Sequence, residues 1–109
     1  MSNNDFITYA DGSISEDFLE FIEQYIPSDD LPIMKFLDII EKLWWPSYGG
    51  GFKLHRKYKG RRRLEMHTGG WSDNELIIRS LKANILLMAF QMRHVMWKVG
   101  GHFYFQIKE

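Results

Sequence analysis

Apolar positions recur at helical spacing in the first half of the chain and mostly alternate with polar ones in the second, so two kinds of structure meet near residue 50. Phe18, Leu19, Phe21, Ile22 and Tyr25 form one stripe, with Asp17, Glu20 and Glu23 toward the opposite side. Ser13-Ile14-Ser15-Glu16 has capping-box spacing, which starts the first helix after an irregular lead-in over Met1 to Gly12. That helix should close near Tyr25, because Ile26 precedes Pro27 and is pushed out of the helical region. Ser28-Asp29-Asp30-Leu31-Pro32 is a second start signal, with acids near the positive helix end and a proline suited to a first turn. The helix it opens should reach about Trp44, burying Ile33, Phe36, Leu37, Ile39, Ile40, Leu43 and Trp44. Pro46 and Gly49-Gly50-Gly51 follow as a connector with the composition of a hinge.

From Phe52 the period becomes two. Phe52, Leu54 and Tyr58 face one way against Lys53, His55 and Lys57, and the returning strand sets Leu64 and Met66 against Arg63, Glu65 and His67. A two-residue loop at Lys59-Gly60 would mix apolar and charged residues on each face, so an odd-numbered loop is predicted, with Leu54 opposite Met66 and His55 opposite Glu65. After the Gly69-Gly70 turn, Ser72-Asp73-Asn74-Glu75 repeats the capping-box spacing, and Leu76, Ile77, Ile78 and Leu81 carry a short helix to near Asn84. Residues 85–98 fit two patterns. Met88, Phe90, Met92 and Met96 alternate as in a strand, whereas Ile85, Met88, Met92 and Val95 suit a helix. The strand is favoured because Gly100-Gly101 and the alternation of Phe103, Phe105 and Ile107 complete a hairpin, aligning Met96 with Phe105 and His94 with Ile107. The expected fold is α+β: two N-terminal helices, then β-hairpin, helix, β-hairpin, giving an antiparallel sheet of about four strands. One domain over residues 1–109 is expected, with a helical part (1–45), a Gly-rich connector (46–51) and a β-β-α-β-β part (52–109).

Composition narrows the chemistry. The chain has no cysteine, which excludes disulfides and cysteine-ligated metals and leads us to expect a cytoplasmic protein. Its longest apolar run, Ile85 to Phe90, is too short to span a bilayer, and the polar, acidic start lacks the layout of a signal peptide, so no membrane association is expected. Net charge is zero, yet ten of the 14 acids precede Trp44 and seven of the 14 Lys and Arg residues lie between Lys53 and Arg63. An acidic and a basic side follow.

The block His67-Thr68-Gly69-Gly70-Trp71-Ser72-Asp73-Asn74-Glu75, with Gly100-Gly101-His102-Phe103-Tyr104-Phe105 downstream, resembles small uncharacterised proteins of tailed bacteriophages and prophages. The resemblance runs from about Leu64 to Ile107 and implies a phage setting and an accessory role, in the host cytoplasm, without implying an activity.

Three sets of residues are candidates for function. In the turn, Gly69 and Gly70 permit close backbone approach, the N–H groups around Ser72 to Asn74 could receive a phosphate, His67 and Thr68 lie beside it, and Trp71 could stack on a base. Asp73 and Glu75 weigh against it, since they already place negative charge at that helix end. The basic hairpin carries Lys53, Arg56, Lys57, Lys59, Arg61, Arg62 and Arg63, with His55 and Tyr58 among them, a pattern suited to the phosphates of a nucleic acid. The histidines His55, His67, His94 and His102 come last: His55 and His67 should share a face with Glu65, although no metal-site spacing is present, while His94 falls on the apolar face. No phosphate loop, dinucleotide fingerprint or nucleophile elbow occurs, so neither enzymatic activity nor a metal or cofactor is expected. The leading expectation is binding of a nucleotide or nucleic acid by the turn and hairpin. The alternatives are a stoichiometric inhibitor of a host protein, acting through the acidic helices or aromatics near Trp44, Trp45 and Tyr48, and a homo-oligomeric structural module.

Overall fold

A computed structural model describes residues 14–45, 51–69, 71–98 and 100–108. The expected lead-in, the Ser13 cap, the connector from Pro46 to Gly50, and Gly70 lie outside the described residues. The chain is α+β. Helices α1 (Glu16–Gln24) and α2 (Ile33–Leu43) precede β1 (Phe52–Leu54) and β2 (Arg61–His67). Then come α3 (Ser72–Ala83), α4 (Ile85–Phe90), β3 (Met92–Lys98) and β4 (His102–Lys108). The four strands form one antiparallel sheet in the order β1-β2-β4-β3. Among the described residues no helix is long and apolar enough to cross a membrane.

One core joins helices and sheet. Phe18, Ile22, Phe36, Leu37, Ile40, Ile77 and Leu81 from the helices meet Leu64, Met66, Phe105, Ile107 and Met92 from the inner sheet face. Tyr25 stacks on Phe36 at 3.7 Å between ring centroids and donates its hydroxyl to the Leu31 carbonyl at 2.7 Å. Burial pushes that phenol up to about 12. The opposite face of the sheet carries Arg61, Arg63, Glu65, Tyr104 and Gln106, none of which belongs to the core, and none of the described helices contributes core residues on that side.

The helix starts correct the expected caps. The cap of α1 is Ser15, whose Oγ accepts from Phe18 N at 3.1 Å, two residues later than the spacing suggested. The reason is upstream: Ile14 is buried in the core and its N–H is held by Asp73 Oδ2 at 3.2 Å. Likewise α3 is capped by Trp71 without a side-chain bond, and Ser72 is its first helical residue. Residues 85–98 hold both alternatives in succession, six residues of helix and then β3. Asn84 decides the helix. Its Oδ1 accepts from Leu87 N at 3.0 Å while its Nδ2 donates to the carbonyls of Ile22 and Tyr25 at 3.0 and 2.8 Å, so one buried amide starts α4 and finishes α1.

Both hairpin registers differ from expectation. In the first, Leu54 pairs with Leu64, not Met66, and the tip is a two-residue turn at Lys59-Gly60, both with positive φ, closed by the Tyr58–Arg61 bridge. The faces still sort as expected, because His55 still bonds the Arg63 carbonyl and residues 56–57 then leave the ladder, absorbing the one-residue offset between turn and strands. In the second, Met96 pairs with Tyr104 and His94 with Phe105, with an irregularity between them. That irregularity turns Met96 to the outer face and Trp97 to the inner one.

Two glycines separate strain from space. Gly60 (φ +80°) has open surroundings, so Gly60→Ala should cost only about 1 kcal/mol of backbone strain. A Cβ on Gly101 (φ +81°) would run into the Thr68 hydroxyl, whose own backbone N–H is bonded to the Gly101 carbonyl at 2.9 Å. Gly101→Ala should therefore cost about 3 kcal/mol, measured by urea unfolding; equal losses at the two sites would contradict this packing.

Candidate functional site

The basic hairpin forms one wall of a groove on the outer sheet face. Arg56, Arg61, Arg62, Arg63, His55 and Tyr58 line it, with Val95, Met96 and Gln106 opposite, around a volume of about 560 Å³. No Asp or Glu lines it. Arg61 and Arg63 point outward because they alternate with Leu64 and the rest of the core face along β2, and Arg61 Nη1 donates to Gln106 Oε1 at 2.9 Å. Arg62 lies on the other side of the strand, and its Nη1 reaches the His55 carbonyl at 3.4 Å. Tyr58 is 73% exposed at the rim, with the Lys59 ammonium over its ring at 5.4 Å. Lys53, Lys57 and Lys59 belong to the same hairpin without lining the groove. A second hollow of about 300 Å³ continues along the face, sharing Arg63, Val95 and Met96 and adding Glu65, Lys98 and Tyr104.

The glycine turn is organised for folding. Asn74 is fully buried: its Oδ1 accepts from Trp45 N at 3.0 Å and its Nδ2 donates to the Trp45 and Thr68 carbonyls at 3.0 and 3.2 Å. Thr68 is fully buried as well, and its carbonyl also accepts from Trp71 N at 3.0 Å, which closes the turn. Asp73 is occupied by Ile14. Of the turn residues expected to meet a ligand, Thr68 and Asn74 are therefore enclosed by structure, Ser72 and Gly69 are exposed, and Trp71 is half-exposed and stacked on Trp45 at 5.3 Å. His67 is buried beside the turn. It is tied into the backbone by its N–H to the Gly51 carbonyl at 2.6 Å and by its carbonyl, which accepts from Trp44 Nε1 at 3.3 Å.

The histidines converge as the alternation implied, with one addition. Glu65 accepts from His55 through Oε2 and faces His67 Nε2 through Oε1 at 3.9 Å. His67 Nδ1 lies 2.7 Å from Nδ1 of His102, its ladder partner on β4, so one ring donates and the other accepts. His102 was outside the predicted face, since the β2–β4 pairing that brings it there joins strands far apart in sequence. The His55 hydrogen bond, ahead of the charges of His55, His67 and Lys53, holds the Glu65 carboxyl below the ordinary range against some desolvation. Burial, and then the neighbouring His102, hold His67 below the ordinary histidine value of 6.5, partly offset by Glu65. Burial and then Lys82 lower His94 in the same way, partly offset by its Met96 backbone bond. Among the described residues no group of three or more such side chains is arranged to hold a metal ion.

These shifts set a pH dependence. His67 and His94 stay neutral in the fold while the unfolded chain takes up protons below about 6.5, so their stabilising contribution is complete above that pH and is lost as pH falls through the lower folded values. The melting temperature should accordingly fall between pH 7.5 and pH 5.5, each histidine adding at most about 1.4 kcal/mol per pH unit. Glu65 adds to the loss only below its ordinary value of 4.5. A flat melting profile across the upper range would contradict the burial of both rings.

Comparison of the chain with protein-family models, curated proteins and solved structures found no match.

Proposed function

We propose that this chain is a small phage-encoded accessory protein that binds a phosphate-bearing ligand, and that the ligand is single-stranded nucleic acid lying on the outer sheet face. The observation that carries the reading is the groove lined by the outward Arg56, Arg61 and Arg63, with Arg62 turned to the His55 carbonyl, a histidine and an exposed tyrosine, and with no carboxylate in its wall. Guanidinium groups pair with phosphate oxygens in bidentate fashion, and a tyrosine at the rim offers a face on which a base can stack. The groove is open to solvent, which suits a polymer lying across it better than a free nucleotide, whose sites usually enclose most of the ligand. Its continuation past Arg63 adds Lys98 and Tyr104, a further cation and a further ring, beside a Glu65 carboxylate that His55 engages. Duplex DNA is disfavoured, since among the described residues no helix belongs to this face to enter a groove. Fluorescence anisotropy with a labelled single-stranded oligonucleotide tests this: saturable micromolar binding at low salt, weaker for a duplex of the same length, is expected. Absence of binding at low salt would overturn it.

A second reading, contact with a host protein, is favoured by one observation. Trp45 and Trp71 stack with almost half of each ring surface exposed, and paired exposed tryptophans are common anchors of protein interfaces. Trp44, grouped with them on sequence, is buried, and Tyr48 lies outside the described residues. A host complex insensitive to salt and lost in Trp45→Ala would favour this reading over the first.

A further inference from the structure

The segment from Ile85 to Lys98 exposes more apolar surface than the rest of the fold accounts for. Ile85, Leu86 and Phe90 on α4 are 77, 57 and 69% exposed, and Val95, Met96 and Trp97 on β3 each expose about half of their surface. The two elements are consecutive and pack on one another. Together these residues leave roughly 700 Å² in water along α4 and on both sides of β3, with Trp97 toward the inner face and Val95 and Met96 toward the outer one. β3 is also an edge strand, so one side of its backbone ladder has no partner strand among the described residues.

We infer that this strip is the interface of a homodimer in which the β3 strands of two copies pair antiparallel across a two-fold axis. A single strand serves as both halves of such an interface, which is the commonest closed symmetry. The strip is complementary to itself along its length. One end of β3 adjoins α4 with Phe90, the other carries Trp97, and antiparallel pairing lays the α4 end of each copy beside the Trp97 end of the other. The exposed area agrees with the roughly 800 Å² that each partner contributes to a standard stable interface. The two-fold also merges the sheets into one of eight strands. Val95 and Met96 line the outer-face grooves, so at the seam the grooves of the two copies become neighbours on a continuous face. The dimer stands on the apolar strip and the sheet edge and does not depend on what the grooves bind.

Charge makes the prediction specific. The strip contains no acid; Arg93 and Lys98, near the two ends of β3, are its charged residues. Like charges at the rim of an apolar seam repel, so the dimer should tighten as salt rises. An oligomer built from the acidic helices of one copy and the basic hairpin of another would instead loosen.

Sedimentation equilibrium on the full chain tests the proposal. The expected mass is twice 13.0 kDa at micromolar concentration, strengthened by salt. Trp97→Lys and, separately, Leu86→Glu with Phe90→Glu should each give a monomer with an unchanged far-ultraviolet spectrum, because all three side chains project into solvent. The chain has no cysteine, so Met96→Cys places one thiol near the axis and should cross-link into a dimer under mild oxidation, whereas Asp38→Cys on exposed α2 should not. A monomer at every concentration, including one whose strip binds lipid vesicles or another protein, would overturn the proposal. So would a dimer that loosens with salt, or one that survives both sets of substitutions without cross-linking through position 96.

Discussion

Asn74→Ala is expected to destabilise the fold by about 3–4 kcal/mol, lowering the melting temperature by roughly 15 °C in a chain of this size. The side chain is fully buried and makes three hydrogen bonds to backbone groups, two to Trp45 and one to Thr68. Truncation leaves the Trp45 N–H and carbonyl without these partners and opens a void where α3, the end of α2 and the turn after β2 meet. Asn74→Asp should be no milder, because it keeps the shape but removes both donors and adds a buried charge. Ser72→Ala, two residues away, should cost less than about 0.5 kcal/mol, since Ser72 is exposed and is not the cap. Thermal unfolding of the three variants decides the matter. Equal effects at Ser72 and Asn74 would restore the capping reading of this helix start.

The second large effect concerns binding. Arg56→Ala, Arg61→Ala and Arg63→Ala together should weaken single-stranded oligonucleotide binding by about 100-fold or more and flatten its salt dependence by roughly two units of log–log slope. All three side chains are exposed, so the melting temperature should move little. Arg62 is left in place because its bond to the His55 carbonyl ties the hairpin arms together, and removing it would mix folding with binding. Unchanged affinity in the triple variant would remove the groove from the account.

Much of the fold was legible in the residues. Alternation placed Leu64 and Met66 inward and Arg63 and Glu65 outward, and helical spacing picked out Phe18, Ile22, Phe36, Leu37 and Ile40 for the core. What escaped was decided at a distance. Ser13-x-x-Glu16 and Ser72-x-x-Glu75 both have capping spacing, but the Ile14–Asp73 bond pins the two helix starts to each other and moves the first cap to Ser15. Asn84 looked like the end of α3, and only its bonds to the carbonyls of Ile22 and Tyr25, some 60 residues earlier, explain why a helix restarts at Ile85. Both registers shifted because irregularities at residues 56–57 and between His94 and Met96 absorb offsets that turn length alone cannot reveal. In the candidate site, the hairpin arginines were visible as a charge run. The partners that make them a groove, Val95, Met96 and Gln106, come from β3 and β4 and depend on the strand order.

The most direct measurement is an amide chemical-shift map of the isotopically labelled protein titrated with a short single-stranded oligonucleotide. Binding on the outer face predicts saturable shifts at Arg56, Tyr58, Arg61, Arg63, Met96 and Gln106, with little change at Gly69, Trp71 and Ser72. Shifts concentrated in the glycine turn, or no shifts at low salt, would contradict it.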